Sequence, residues 1–247
     1  MKNEKIVIVM PAYNAEQTLY QTLEAISKEY RDHIILVDDK SNDNTVQLAR
    51  KLGLTVIRHK DNLGYGGNQK TCYKAALKAG ADVIVMIHPD YQYAPELIAP
   101  MVAMIQTGIY DCVLGSRILG GGALKGGMPV YKYIGNRFLT VTENIVTGGK
   151  LSEYHTGLRA FRREVLETVK FESNSNNYVF DNQILLQIFA KGFRIGEISC
   201  PTRYFKEASS ATFMRSVVYG FSCLYWGLMY GLGQLKIYRH PLLFGSL

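Results

Sequence analysis

Five short apolar runs, at residues 6–10, 34–37, 55–57, 83–87 and 112–114, alternate with helix-like segments at 15–30, 45–52, 68–79 and 95–106. Most of the runs are continuously apolar and rich in Val and Ile, as expected of strands covered by helices on both faces. The βαβα order predicts an α/β fold with a mainly parallel, doubly wound sheet. Ligands then bind at the carboxyl ends of the strands. The first strand-end loop reads Pro11-Ala-Tyr-Asn-Ala-Glu16 where a dinucleotide-binding chain places Gly-x-Gly-x-x-Gly, so a nicotinamide enzyme is not expected.

Past Arg117 the glycine-rich stretch 120–127 reads as a mobile loop that orders over substrate. A helix is expected at 130–147, a strand at 157–161, a helix at 181–191 and a strand at 194–198. A chain of 247 residues, 47% hydrophobic and 20% charged, buries a full globular core. Its four cysteines form no Cys-x-x-Cys pair and no apolar signal segment precedes Ile6, so a reducing, cytoplasmic location is expected.

Residues 1–122 hold equal numbers of acidic and basic side chains, so the net charge of +7 belongs to residues 123–247. That half is expected to face an anionic partner, lipid or nucleic acid. The stretch 216–235 carries no charge and is flanked by Arg215 and Lys236. Its length is close to the ~20 residues that cross a bilayer. Its four glycines and three tyrosines, with the lone Trp226, suit the headgroup level better, which favours a helix lying on the inner face of the membrane. A spanning helix and a buried or oligomer-forming helix remain open alternatives. A nucleic-acid role is disfavoured, because the aromatics cluster without interleaved basic residues.

In Val83-Ile-Val-Met-Ile-His-Pro-Asp-Tyr-Gln92 a strand ends in His88, Asp90 and Gln92 at i, i+2 and i+4. On an extended backbone these project from one side and converge on one divalent cation. His88 also fits a ribose contact or a plain turn. At the other strand ends, Tyr13 suits stacking on a nucleobase and Glu16 suits a base or ribose donor. Asp39, the second of two adjacent acids, suits a nucleotide contact, while helix capping accounts for Ser41, Asp43 and Thr45. The loop Asn62-Leu-Gly-Tyr-Gly-Gly-Asn-Gln-Lys70 offers backbone N–H groups near Gly66, and Lys70, to a base or phosphate.

Taken in order, Val37-Asp-Asp-Lys-Ser-Asn-Asp-Asn-Thr45, the Asn62 glycine loop, the acidic strand end with Gln92 and Pro95, and Gly115-Ser-Arg117 resemble inverting family 2 glycosyltransferases of the GT-A fold. The nearest branch is the dolichyl-phosphate mannose synthase and polyprenyl-phosphate glycosyltransferase group, and the likeness covers about residues 5–210. It implies that Pro11, Tyr13, Glu16 and Asp39 hold the nucleotide and that His88, Asp90 and Gln92 stand where the family has Asp-x-Asp-x-Gln. It implies that Arg117 grips the acceptor phosphate. His88 in place of an Asp removes one negative charge from the cage, which disfavours Mg2+ more than Mn2+.

Looser matches follow. Met128 to Arg137 resembles the family's basic helix at the acceptor phosphate, with Lys132 and Arg137 as candidates; membrane-surface charge is the alternative for Lys132. Glu153 to Arg159 resembles a segment beside the reaction centre and contributes His155 and Thr156 as acceptor contacts. Asp181 matches an acidic position that serves as base, with helix capping as the alternative, and Arg203 or Lys206 matches an arginine near the donor diphosphate.

The resemblance therefore implies a cation-assisted transfer of a hexose from a nucleotide-diphosphate sugar to a polyprenyl phosphate at a membrane surface. A saccharide hydroxyl acceptor and a non-catalytic nucleotide-sugar-binding scaffold are the competing readings. The expected organisation is a catalytic domain over 1–210, with a nucleotide half at 1–117 and an acceptor half at 118–210, then a membrane-interface or oligomerisation helix within 211–247.

Overall fold

The computed structural model of the chain describes residues 4–204 and 213–245. The first half runs β1 (Ile6–Ala12), α1 (Leu19–Ala25), β2 (Ile34–Asp38), α2 (Thr45–Lys51), β3 (Thr55–Arg58), α3 (Tyr65–Lys78), β4 (Val83–Met86), α4 (Ile98–Gln106) and β5 (Cys112–Ser116). The second runs α5 (Val130–Thr147), β6 (Arg159–Arg162), α6 (Arg163–Thr168), α7 (Phe180–Ala190), β7 (Ile195–Ser199), α8 (Phe213–Gln234) and α9 (Pro241–Phe244). One sheet joins all seven strands in the order β3-β2-β1-β4-β6-β5-β7.

Every strand pair is parallel except those of β6, which runs antiparallel to both β4 and β5. From β1 the chain winds outward through β2 to β3, then returns to place β4 on the other side of β1. That reversal opens a crevice beyond the ends of β1 and β4. Side-chain alternation explains the uninterrupted apolar runs: Val7 and Val9 enter the core shared with α3 and α7, and Ile8 and Met10 enter the core shared with α1 and α4. Cys72, Cys112, Cys200 and Cys223 are all free thiols.

Several boundaries differ from the sequence expectation. The helix expected over 15–30 begins only at Leu19 and gives way to a 3-10 turn at Lys28–His33. Its first residues are diverted: the N–H groups of Asn14, Ala15 and Glu16 donate to Ser41 Oγ, Thr45 Oγ1 and Asp43 Oδ2. The expected strand at 83–87 stops at Met86, and Tyr91 adopts a φ of 55°. Residues 88–92 therefore form a turn, and the single-face projection of His88, Asp90 and Gln92 from an extended strand does not hold. The glycine-rich stretch is closed on itself and on the segment after β7, with Gly126 N donating to Gly122 O and Tyr204 N to Gly126 O.

The C-terminal α8 packs along α5 and α7, and α9 packs on α7. No helix of the described residues is long and apolar enough to cross a membrane.

Candidate active site

Asp43 and Thr45 act as a brace between the loops that follow β1 and β2. Besides its bond to Glu16 N, Asp43 accepts from both the N–H and the hydroxyl of Thr45. Glu16 reaches the other way, its two carboxylate oxygens accepting from Asn44 N and Nδ2. Of the capping expected of Ser41, Asp43 and Thr45, Asp43 keeps a bond to the N–H of Thr45 at the start of α2, while Ser41 Oγ and Thr45 Oγ1 accept from the loop after β1. α2 itself has no side-chain cap at Asn44. These bonds hold buried Pro11 and half-exposed Tyr13 at the rim of the crevice.

Asp39 organises the third loop. Its buried carboxylate accepts from Leu63 N at 2.8 Å, Gly64 N at 3.0 Å and His59 Nδ1 at 2.7 Å. Its neighbour Asp38 accepts from Ser41 N, and Asp38 Oδ1 is buried with no hydrogen-bond partner. The glycine loop thus turns its N–H groups toward protein: Gly66 N donates to Asn176 O, and Lys70 Nζ bonds Asn174 O and Asn176 Oδ1. Gly66 is glycine for a packing reason, since a Cβ there would sit 2.3 Å from Ser175 O.

From that loop Tyr65 extends to the centre of the site. Its hydroxyl donates to Asp181 Oδ2 at 2.6 Å, lies 3.2 Å from His88 Nε2, and its ring stacks on His88. A hydroxyl carries one proton, so with that proton donated to Asp181 the Tyr65 oxygen accepts from His88 Nε2–H, which leaves His88 Nδ1 as the lone pair. Asp181 also accepts from Gln69 Nε2 and lies 3.8 Å from the fully buried Arg159 guanidinium. Burial, and then the Asp181 charge, push the Tyr65 phenol well above its ordinary range.

In the turn after β4, Asp90 Oδ1 accepts from Gln92 N at 3.1 Å. Burial pushes the Asp90 carboxyl above its ordinary value, against the pull of His88 and Arg117. Gln92 is buried and its carbonyl receives Arg203 N, while the Arg203 guanidinium lies over the Tyr91 ring at 4.6 Å. Lys206, the alternative to Arg203, lies outside the described residues. Among the described residues, no three His, Cys, Asp or Glu side chains converge at this turn. Asp90 is the one carboxylate of residues 88–92, so a divalent cation held at this turn would take most of its ligands from outside the chain, as Mg2+ does at phosphate-transfer sites.

Arg117, at the end of β5, is anchored rather than open. Nε and Nη2 bond the fully buried Glu153, Nη2 also bonds His155 O at 2.6 Å, and Nη1 bonds Tyr204 Oη at 3.0 Å. Among the described residues four of its five N–H donors have partners, and one Nη1 hydrogen has none. Lys132 is close enough that Arg117 adds to burial in lowering its ammonium pKa. Arg137 Nη1 bonds Ser152 O, and Thr156 Oγ1 bonds Gly115 O. The His155 ring is turned to Tyr219 and Glu143, so only its backbone carbonyl touches the Arg117 group.

Tyr65, Glu153, Tyr204 and Arg159 did not emerge from the sequence as site residues. Glu153 stood within a motif already singled out, where a buried acid is the natural partner of Arg117. Tyr65 carried no signal beyond its place between two glycines.

Residues 7–170 match the family described as Glycosyl transferase family 2. An uncharacterised protein of Methanocaldococcus jannaschii is 30% identical, with 91% of each chain covered. The UDP-N-acetylglucosamine–dolichyl-phosphate N-acetylglucosaminyltransferase of Methanococcus voltae is 28% identical over 95% of this chain and 99% of its own. Polyprenol monophosphomannose synthase of Mycolicibacterium smegmatis is 25% identical, with 79% and 76% covered. In three dimensions, glucosyl-3-phosphoglycerate synthase of Mycobacterium tuberculosis, solved with Mn2+, UDP-glucose and glycerol 3-phosphate, superposes with a TM-score of 0.69 at 18% identity, covering 96% of this chain and 82% of that one. The fold is of the GT-A type, and the chain is a glycosyltransferase belonging to glycosyl transferase family 2.

Proposed function

We propose that this enzyme moves a hexose from a nucleotide-diphosphate sugar to a polyprenyl phosphate, with inversion at the anomeric carbon. The observation that carries the acceptor assignment is on α5. This helix holds Lys132 beside Arg117, and it also exposes Val130, Ile134, Phe138, Val141 and Ile145 at a spacing of three to four residues. A phosphate-seeking cation and a lipid-seeking stripe share one element. Relatives that act on dolichyl or polyprenyl phosphate support the same choice.

The nucleotide belongs in the crevice between the loops after β1, β2 and β4, against Tyr13 and the Asp39 loop. Arg203 stands on the diphosphate side. Asp90, with Gln92 or His88 Nδ1 nearby, would hold Mn2+ or Mg2+, which would supply positive charge against the leaving diphosphate. An acceptor phosphate oxygen forms the new C–O bond as the bond to the β-phosphate breaks. With a second pKa of about 6, that phosphate carries a nucleophilic oxygen at neutral pH and needs no protein base. Lys132 and the remaining Arg117 donor orient it, and Asp181 fixes Tyr65 and His88 behind the sugar.

In this reading residues 1–117 form the donor half, 118–210 the acceptor half and 211–247 the membrane-facing segment of a peripheral, cytoplasmic enzyme. The test is sugar transfer to a short polyprenyl phosphate. Asp90→Ala is expected to lower kcat/KM by about 10²–10³-fold, the scale of losing one preorganised electrostatic contact. Undiminished turnover would remove the cation role. Lys132→Met separates the acceptors: it should raise the KM for lipid phosphate, whereas a saccharide hydroxyl acceptor would leave Lys132 unimportant and make Asp181→Asn the damaging change, because a hydroxyl needs a base.

A further inference from the structure

Behind the Arg117 group, three elements bring an acid, an imidazole and a thiol into one buried spot. Glu143 comes from α5, His155 from the segment before β6 and Cys223 from α8, and their ligand atoms lie within 4.8 Å of one another. Glu143 and Cys223 are buried at 2% and 0% exposure. His155 Nε2 stands 3.2 Å from Glu143 Oε2, yet both atoms are buried and neither has a hydrogen-bond partner. Asn182 Nδ2 donates to Glu143 Oε1, and Asn182 Oδ1, also buried, has no partner either. Unpartnered buried polar atoms are rare because each forfeits its solvation.

The other nitrogen of the ring is fixed. His155 Nδ1 lies 2.8 Å from Tyr219 Oη, and the Tyr219 hydroxyl is also hydrogen-bonded to Cys223. With its single proton donated to the Cys223 sulphur, the Tyr219 hydroxyl accepts from His155 Nδ1–H and leaves Nε2 as the lone pair, the arrangement typical of metal-bound histidine. Facing it across the spot are a carboxylate oxygen and a sulphur. The imidazole lone pair and the carboxylate oxygen repel unless a cation lies between them, and the Cys223 sulphur joins them as a third donor atom once its proton is lost.

We propose that Glu143, His155 and Cys223 bind a structural zinc-class ion, with Asn182 Oδ1 or a water as the fourth ligand. A mixed sulphur, nitrogen and oxygen set suits Zn2+ or Co2+, whereas Mg2+ and Ca2+ take oxygen. The charges cancel, because a dication meets one carboxylate, one thiolate and a neutral imidazole. Tetrahedral zinc with bonds of ~2.0–2.3 Å holds its donors ~3.3–3.8 Å apart, close to the His155 to Glu143 separation. On binding, the zinc–sulphur bond forms as the Cys223 proton leaves to solvent. The ion ties α8 to α5 and steadies His155, whose carbonyl receives Arg117 Nη2. It is thus a positioning device, separate from the donor cation at Asp90.

Chelator-treated full-length enzyme, held in excess Mg2+ to occupy the donor site, is titrated with Co2+ and then with Zn2+. A sulphur-to-cobalt charge-transfer band, retention of about one zinc per chain after desalting and a raised thermal midpoint are expected. Asp90→Ala should keep the band. Cys223→Ser should abolish it, and Glu143→Gln should weaken zinc retention by at least about ten-fold. If either variant fails to fold, the wild-type titration decides alone. A folded wild-type enzyme with no cobalt–sulphur band and no retained zinc would leave a plain imidazolium–carboxylate pair and overturn the proposal, as would a band lost with Asp90→Ala.

Discussion

Arg117 and Asp90 lie in the same crevice, and their environments push in opposite directions. Burial opposes ionisation of Glu153, but Arg117 and its hydrogen bonds outweigh that and hold the carboxyl below its ordinary 4.5. A depressed acid stabilises the fold above its unfolded pKa and loses that contribution as pH falls through its folded value. The wild type should therefore lose stability in urea as pH drops below about 4.5, and Glu153→Gln should flatten that slope. Removing the carboxylate altogether, as Glu153→Ala, leaves Arg117 buried without its counter-charge and should cost about 3–5 kcal/mol. Asp90 is the reverse case: burial raises its pKa, so its ionised form destabilises the fold above that pKa. Asp90→Asn should raise the thermal midpoint at pH 7 in the absence of nucleotide while impairing catalysis. A lowered midpoint would mean that protein partners already satisfy the carboxylate. The motif acids were legible because their neighbours in sequence define them, but Glu153 meets Arg117 across 36 residues and Tyr65 meets Asp181 across 116, distances at which local pattern says nothing.

Among the elements, strands were read to within a residue or two because consecutive apolar positions fill two cores at once. Helix starts were less legible. α1 begins late because three N–H groups near its start are claimed by side chains following β2, a tertiary competition with no local trace. α3 begins earlier than expected, at Tyr65, because Gly66 and Gly67 fit against the segment before α7. A Cβ on Gly66 would meet Ser175 O at 2.3 Å and Phe180 Cβ at 2.8 Å, both on elements that cannot withdraw freely. Gly66→Ala should therefore destabilise by about 1–3 kcal/mol even though alanine favours helix, because overpacking dominates the propensity gain. Thermal unfolding checks the sign. A neutral or stabilised variant would show that the 174–180 segment moves aside at little cost. The antiparallel β6 was equally hidden, since four residues reading Arg-Ala-Phe-Arg carry no mark of direction.

For the molecule as a whole, the paired helices α5 and α8 leave the largest question, because their outer sides are apolar and uncovered. α8 exposes Met214, Val218, Phe221, Tyr225 and Leu228, again at helical spacing, with Phe221 at 70% and Ile145 of α5 at 77%. A contiguous apolar surface of this kind marks a partner or a membrane. Lys132 and Arg137 stand on α5, and Lys236 and Arg239 follow α8, which favours an anionic lipid surface as the occupant. An inserted Phe side chain contributes about 1.5–3 kcal/mol. Phe221→Asp should thus lower partitioning onto vesicles of anionic phospholipid by about ten- to a hundred-fold, and Ile145→Asp should do much the same. Neither change opens the core, so unfolding free energy should stay within about 0.5 kcal/mol of wild type. Turnover of a long-chain polyprenyl phosphate embedded in those vesicles should fall with binding, while turnover of a short water-soluble analogue should hold, because the donor crevice is untouched. Co-sedimentation and the two rates together separate the possible occupants of this face. If wild-type enzyme ignores the vesicles yet sediments as a dimer that Phe221→Asp dissociates, then a second copy of the chain covers α5 and α8, and lipid does not.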